Sequence, residues 1–114
     1  MTLLEELTTL LASLDCPVET GVFKDTAPDI YAVLVPLTDR FELYADDRPR
    51  NDLQEVRISL YTKGSYTTLK NAVVRALLQA DINITARQYI GYETDTGYFH
   101  YNVDAARVYE MEET

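Results

Sequence analysis

The sequence has few of the residues that carry chemistry in small enzymes and metalloproteins: its 114 residues include one cysteine, one histidine and four glycines. The single cysteine, Cys16, excludes an intrachain disulfide. The glycines are too widely spaced for a phosphate-binding loop. They are Gly21, Gly64, Gly91 and Gly97. No uninterrupted apolar run approaches about 20 residues, so the sequence predicts no membrane-spanning helix.

A signal peptide is also not expected. No basic region precedes the first leucines, and Glu5 and Glu6 follow them directly. Cys16 lies between a leucine-rich segment and Pro17, where we predict a small buried apolar residue. These features fit folding in the cytosol.

Acidic residues outnumber basic residues by 19 to 10, which gives a net charge of −9 and a pI near 4.4. Tight binding to a phosphate backbone needs clustered Lys and Arg, so specific binding to nucleic acid is not expected. Anionic membrane surfaces are disfavoured for the same reason. The acidity is explained equally well by solubility alone.

Patterns that indicate catalysis or metal binding are weak. His100 could act with Glu93 or Asp95 in a small enzyme, but a lone strand histidine is more often a hydrogen-bonded structural residue. Asp46 and Asp47 are neighbours without EF-hand spacing around them, as is typical of a solvated charge pair. We therefore predict no catalytic residue, no cofactor and no metal.

Two amphipathic helices are predicted. Thr2 and Glu5 form a capping box at the start of the first helix, which should end near Asp15 because a proline follows two residues later. Ser65 is the predicted N-cap of the second helix, over about residues 66–80. The apolar stripe of the first helix consists of Leu3, Leu4, Leu7, Leu10, Leu11 and Leu14, and that of the second of Leu69, Val73, Ala76, Leu77 and Ala80.

Five strands are predicted, at residues 18–23, 30–35, 53–62, 84–93 and 98–103. The first is short and edge-like. The second is almost continuously apolar, which predicts cover on both faces, and Pro36 should end it. The third alternates between apolar and polar residues, as is typical of a half-buried strand. The last two form a hairpin in which Gly97 supplies a positive φ.

This order predicts an α+β protein in which residues 1–114 form a single domain. Its mostly antiparallel sheet carries two helices on one face, in the order α-β-β-β-α-β-β. Several tyrosines are expected in or beside strands, and they favour either an interface on the opposite face or ordinary cross-strand pairs. These tyrosines are Tyr31, Tyr61, Tyr89, Tyr92, Tyr98 and Tyr101.

Residues 38–52 are predicted to be a long charged loop. Loops near 15 residues without structure of their own are uncommon in compact domains and are usually functional or mobile. Phe41, Leu43 and Tyr44 in this segment need apolar surroundings, either on a partner subunit or against the protein's own core.

The order and spacing of several segments resemble a known family. Residues 55–61 (Glu-Val-Arg-Ile-Ser-Leu-Tyr) run into Thr-Lys-Gly-Ser-Tyr at 62–66 and then Leu69. Residues 92–101 read Tyr-Glu-Thr-Asp-Thr-Gly-Tyr-Phe-His-Tyr, and residues 41–47 form an acidic, aromatic segment. Together these segments resemble the tail-completion, or tail terminator, proteins of long-tailed bacteriophages and their prophages. The match runs from about residue 3 to residue 109.

The resemblance implies a virion structural protein that is not an enzyme. Subunits of this family form a ring, usually of six, that caps the finished tail tube, stops its polymerisation and joins it to the head connector. The implied partners are further copies of the chain, the tail tube protein and the head-completion protein, while DNA passes through without specific binding. The implied location is the head-proximal end of the tail, with the host cytoplasm during assembly.

For a protein of this kind, we predict that residues of the charged segment contact the neighbouring subunit or the tube. These residues are Phe41, Leu43, Tyr44, Asp46, Asp47, Arg48 and Arg50, and Arg57 could also pair with a neighbour's carboxylates. A second predicted contact consists of Asp95, Thr96 and Tyr98 on the last hairpin. The alternatives are an acidic DNA-mimic inhibitor of a nucleic-acid-binding protein, or another connector component such as a stopper.

Overall fold

The computed structural model describes residues 2–19, 28–45 and 48–110, and for residues 38–45, 48–51 and 110 it describes the main chain. Its elements are α1 (Leu3–Ser13), β1 (Ile30–Ala45), β2 (Arg48–Thr62), α2 (Tyr66–Gln79), β3 (Asn83–Tyr92) and β4 (Phe99–Glu110). The four strands form one antiparallel sheet in the order β1-β2-β4-β3. The predicted α+β class is confirmed.

Both helices begin where the sequence predicts. The Thr2 hydroxyl accepts from the Glu5 amide at 3.2 Å, and the Glu5 carboxylate accepts from the Thr2 amide at 3.4 Å, which completes the capping box. At α2, the Ser65 hydroxyl accepts from the Thr68 amide at 3.2 Å. Each cap satisfies an amide that has no partner within its helix.

Both helices also end in the same way. The residue after each C-cap is an aspartate with positive φ, 56° at Asp15 and 58° at Asp81. The next amide then bonds back to the last turn: Cys16 N–H to the Leu11 carbonyl and Ile82 N–H to the Leu77 carbonyl, both at 3.0 Å. This is the Schellman arrangement. It directs Cys16 and Ile82 into the core, where they are 0% and 2% exposed.

Replacing Asp81 by glycine should stabilise the fold. Glycine adopts positive φ without steric cost, and its introduction removes a negative charge from the carbonyl end of α2. We expect a gain of about 0.5–1 kcal/mol in the free energy of unfolding, measured by urea denaturation. Asp81→Asn removes the charge alone and should give a smaller gain. A loss of stability in Asp81→Gly would contradict the assigned conformation.

The core lies between the helices and one face of the sheet. Leu7 of α1, Val73 of α2 and Ile58 of β2 are each 0% exposed and belong to one continuous cluster. Val56 and Leu60, on the same side of β2 as Ile58, are also buried. Both helices therefore cover the same face, as predicted from the apolar stripes.

The prediction of a loop at residues 38–52 is wrong for every residue of this segment that the structure describes. Its main chain continues β1 and β2 as a long hairpin, and Arg40 pairs with Leu53 and Ala45 with Arg48. The density of charge favoured a loop, but Phe41 and Leu43 alternate with charged residues in the pattern of a strand.

Two predictions about the strand at 30–35 are also wrong. β1 continues through Pro36, with a register shift between Pro36 and Thr38. β1 is an edge strand of the sheet, and edge strands tolerate proline because one of their sides makes no ladder hydrogen bonds. The edge position also leaves Ile30 and Val35 37% and 42% exposed, so this strand is not covered on both faces.

The predicted strand at 18–23 is present in the described residues as one parallel bridge between Val18 and Ala32. Residues 20–23 lie outside the described residues. The radius of gyration is 15.7 Å, above the roughly 13 Å of a compact chain of this length. The molecule is elongated, with principal extents of 54, 28 and 23 Å, because the β1–β2 hairpin adds to one end of the sheet.

Candidate functional site

The β1–β2 hairpin extends beyond the helices. The amide of Leu3, the first residue of α1, donates to the Gln54 side chain at 2.8 Å. Gln54 pairs with Arg107 of β4, and Arg107 donates to the Ala80 carbonyl at the end of α2 at 3.1 Å. One end of each helix therefore lies beside this pair of strand residues. From Gln54, β2 continues to Arg48, which adds about 20 Å at roughly 3.3 Å per residue. The helix layer does not accompany this part of the hairpin.

Five of the eleven predicted contact residues lie on this extension. Phe41, Leu43 and Tyr44 lie on β1, and Arg48 and Arg50 lie on β2. Asp46 and Asp47 lie outside the described residues. β4 pairs with β2 no further than Asn51, opposite Glu110, so the outermost described residues have two strands. A two-stranded ribbon alone is marginally stable in water, which favours contact with another surface.

Arg57 has a partner within its own chain. Its guanidinium donates to both oxygens of Asp104, at 2.9 and 3.1 Å, and this bidentate contact raises the pKa of Arg57. The pair crosses from β2 to β4 on the face away from the helices, where Asp104 is 7% exposed. The structure thus gives Arg57 a role in holding two strands together.

The second predicted contact separates into two parts. Asp95 and Thr96 are exposed at the tip of the β3–β4 turn, where the Thr96 hydroxyl donates to the Glu93 carboxylate at 3.1 Å. Gly97 has a φ of 80°, as predicted. Tyr98 instead turns inward: it is 5% exposed, and its hydroxyl donates to the Pro28 carbonyl at 2.6 Å.

Tyr98 belongs to an aromatic cluster on the face opposite the helices. Tyr31, Tyr61 and His100 stack across three strands, with ring centroids 4.8 Å apart for the first pair and 4.3 Å for the second. Tyr98 meets Tyr31 and Tyr61 edge-on, at 5.3 and 6.3 Å. A second cluster lies on the helix face and consists of Tyr66, Tyr89, Tyr92, Phe99 and Tyr101. The predicted tyrosines are therefore divided between the two faces, where they pair within the chain.

His100 packs against Tyr61 within this cluster. Its Nε2 and the Oδ1 of Asn102 are both buried without a hydrogen-bond partner among the described residues. Burial lowers the pKa of His100 below 6.5, and this effect outweighs the opposing influence of Asn102 and Glu93.

Protonation of His100 should weaken the fold. Because its pKa is lower in the folded state, the unfolded chain binds more protons below pH 6.5, and stability should fall as the pH decreases from 7.5 to 5.5. The slope should stay below the limit of about 1.4 kcal/mol per pH unit set by one proton. His100→Phe keeps the stack on Tyr61 and should flatten the profile in urea denaturation. The same slope in both proteins would contradict this assignment.

The remaining candidate groups are Cys16 and the metal-ligating side chains. Cys16 is fully buried, as predicted, and burial raises its pKa to about 11, which keeps the thiol protonated. The part of the chain that the structure describes contains no group of three His, Cys, Asp or Glu side chains that could hold a metal. None of its helices is long and apolar enough to cross a membrane.

In comparisons with known proteins, no family model matches this chain, and no curated protein sequence matches it.

One surface was not predicted as a contact. An open groove of about 550 Å³ lies between α2 and the edge strand β3. Lys70 and Arg87 line it, and the Lys70 ammonium lies 5.7 Å from the centre of the Tyr101 ring. Thr85 also lines the groove and donates to the Glu55 carboxylate at 2.7 Å. The net charge of each segment of the sequence would have indicated this surface, because Lys70 and Arg87 lie in a segment with few carboxylates.

Proposed function

We propose that this protein is a phage virion structural protein that forms a ring at the head-proximal end of the tail tube. The ring, of six copies in the proposed assembly, ends polymerisation of the tube and joins it to the head connector. The protein acts by surface complementarity and makes or breaks no covalent bond. Its partners are further copies of itself, the tail tube protein and the head-completion protein.

The observation that carries this proposal is the β1–β2 hairpin, which extends beyond the helices at one end of the sheet. The segments that carry the resemblance, around residues 62–66 and 92–101, lie side by side at the other end, where Thr62 pairs with Phe99. The molecule is 54 Å long. A ring subunit between a tube and a connector needs two separated contact regions, and an elongated subunit provides them.

Charge also supports a role as a conduit. Six copies of a chain with net charge −9 would carry −54. A ring of this charge repels the phosphate backbone of passing DNA, so the DNA would not be held in the channel.

The test is end-binding to tail tubes. Tubes assembled from the tube protein of the same genome should stop growing when the purified chain is added, and negative-stain electron microscopy should show one ring at a tube end. Light scattering should report a multiple of the monomer mass once tubes are present. A strict monomer that never binds tube ends would contradict the proposal. Capture of a basic DNA-binding enzyme at low salt only would instead indicate a DNA mimic.

A further inference from the structure

Charge is distributed very unevenly along the chain. Residues 64–92, which contain α2 and β3, have three cations and one carboxylate, for a net charge of +2. The rest of the chain therefore has a net charge of −11, and the two parts sum to the total of −9. The cations are Lys70, Arg75 and Arg87, and the carboxylate is Asp81. Within the described residues, the three cations form no ion pair, whereas Arg57, Lys63 and Arg107 each face a carboxylate.

The fold places this basic segment along one side of the molecule. β3 is an edge strand, and α2 packs over β3 and β4. Lys70 and Arg87 lie together on the groove between them. Arg75 lies about 140° around the helix from Lys70, away from the groove, because five residues advance an α-helix by 500°. We name the surface formed by Lys70, Arg87 and Tyr89 the basic edge.

The opposite side of the molecule is acidic. β1 is the other edge strand, and α1 packs over β1 and β2. Residues 2–19 contain no Lys or Arg and four carboxylates: Glu6, which pairs with Arg107 of β4 at 3.2 Å, and Glu5, Asp15 and Glu19. Glu19 lies beside β1, where its amide donates to the Ala32 carbonyl at 2.8 Å. Asp29, just before β1, has an 82% exposed side chain, with Lys63 at 4.0 Å. We name the surface formed by Glu19 and Asp29 beside β1 the acidic edge.

The elements that form these two edges also carry exposed apolar side chains. Among the described residues, eight of the nine large apolar residues with high exposure belong to α1, β1, α2 or β3, and one of them, Val35, lies opposite Arg57 on the sheet face away from the helices. Those on α1 and β1 are Leu4, Ile30, Val35 and Leu37, and those on α2 and β3 are Leu78, Tyr89, Ile90 and Tyr92. Tyr92 is 50% exposed and Leu78 is 60% exposed. Apolar groups flanked by charge of opposite sign on two surfaces are typical of surfaces that bind each other.

We infer that copies of this chain associate head to tail, with the basic edge of one copy against the acidic edge of the next. A contact between two basic edges or two acidic edges would bring like charges together, so a two-fold symmetric pair is disfavoured. A heterologous contact uses two different surfaces and closes into a ring when its rotation permits. This inference rests on the proposed ring and assigns its subunit interface, leaving the hairpin for the tube or connector.

Charge reversal of one edge tests the contact. Sedimentation velocity at low ionic strength, over roughly 10–500 µM protein, should show association of the unmodified chain that weakens as salt is added. The double variant Lys70→Glu with Arg87→Glu should lose association by about tenfold or more. The matched single variants are Lys70→Glu, which should weaken association, and Arg75→Glu, which makes the same change of −2 in net charge on the same helix, away from the groove, and should associate like the unmodified chain. Thermal unfolding confirms that each variant is folded.

Mixing two variants tests the pairing itself. Glu19→Lys with Asp29→Lys makes the acidic edge basic, and this protein should also fail to associate alone. Mixed with the variant that carries Lys70→Glu and Arg87→Glu, it should form alternating assemblies, because each contact again joins opposite charges. Recovery of association in the mixture supports the inference.

Three results would overturn it: an unmodified chain that stays monomeric across the whole concentration range at low salt, unchanged association of the Lys70→Glu, Arg87→Glu variant, or no recovery on mixing. The end-binding assay separates this outcome from that of the proposed function. Rings that still cap tubes in the charge-reversed variant would refute the interface alone. Head-to-tail assemblies that never bind tube ends would refute the tail function alone.

Discussion

A variant in which residues 41–52 are replaced by Asn-Gly should fold normally and fail to bind the ends of tail tubes. In the register of the hairpin, Arg40 and Leu53 are partners, so a short turn can join them. The core residues and both helices are untouched, and we expect a loss of only about 1–2 kcal/mol in the free energy of unfolding, because a two-stranded ribbon contributes little stability. End-binding, measured by electron microscopy, should be abolished.

A second variant keeps the length of the hairpin and tests whether tube binding depends on its apolar side chains. The substitutions Phe41→Thr, Leu43→Thr and Tyr44→Thr retain residues that favour strands but remove the apolar groups. We expect this protein to lose tube binding as well, while head-to-tail association is retained. Tube capping by the shortened variant would show that the hairpin is not the contact surface.

Replacing Tyr98 by alanine should destabilise the protein by about 3–5 kcal/mol, the range for loss of a buried aromatic side chain. Tyr98 is 5% exposed and contacts the rings of Tyr31 and Tyr61, and its hydroxyl binds the Pro28 carbonyl. Because a typical domain has a total stability of about 5–15 kcal/mol, this variant should unfold at a markedly lower urea concentration than the unmodified chain. Circular dichroism and urea denaturation measure the effect.

Tyr98→Phe is the matched control. It keeps the ring contacts and removes the hydroxyl, so we expect a loss of about 1–2 kcal/mol from the unsatisfied Pro28 carbonyl. Normal ring assembly in this variant would agree with a role in folding. If Tyr98→Phe has unchanged stability but no longer assembles, the result would instead indicate that Tyr98 contacts a partner, as the sequence analysis predicted.

The helices were predictable because their signals are local. The capping box at Thr2 and the N-cap at Ser65 lie within three residues of the amides that they satisfy, and the leucine stripe of α1 requires only its own period. Their C-terminal ends were harder to assign in detail. Asp15 and Asp81 occupy the positive-φ position that glycine usually fills, so the sequence lacked the usual marker.

The long hairpin was not predicted because two signals disagreed between residues 38 and 52. The density of charged residues favoured a loop, whereas the alternation of apolar and charged residues favoured strands. Antiparallel pairing over the whole length, from Ile30 opposite Thr62 to Ala45 opposite Arg48, depends on contacts between residues that are far apart in sequence. The same limit explains Tyr98, whose hydroxyl partner lies 70 residues away at Pro28. The tyrosine-rich strands were identified correctly, but their division between two faces required the register.

The interruptions in both edge strands set a limit on how this protein can polymerise. β1 has a proline and a register shift at residues 36–38, and β3 has shifts at Thr85 and Ile90. Continuous edges template the stacking of strands into fibres, and interruptions of this kind prevent it. Association of copies would then proceed through side chains rather than through added strands, and aggregation into amyloid is disfavoured.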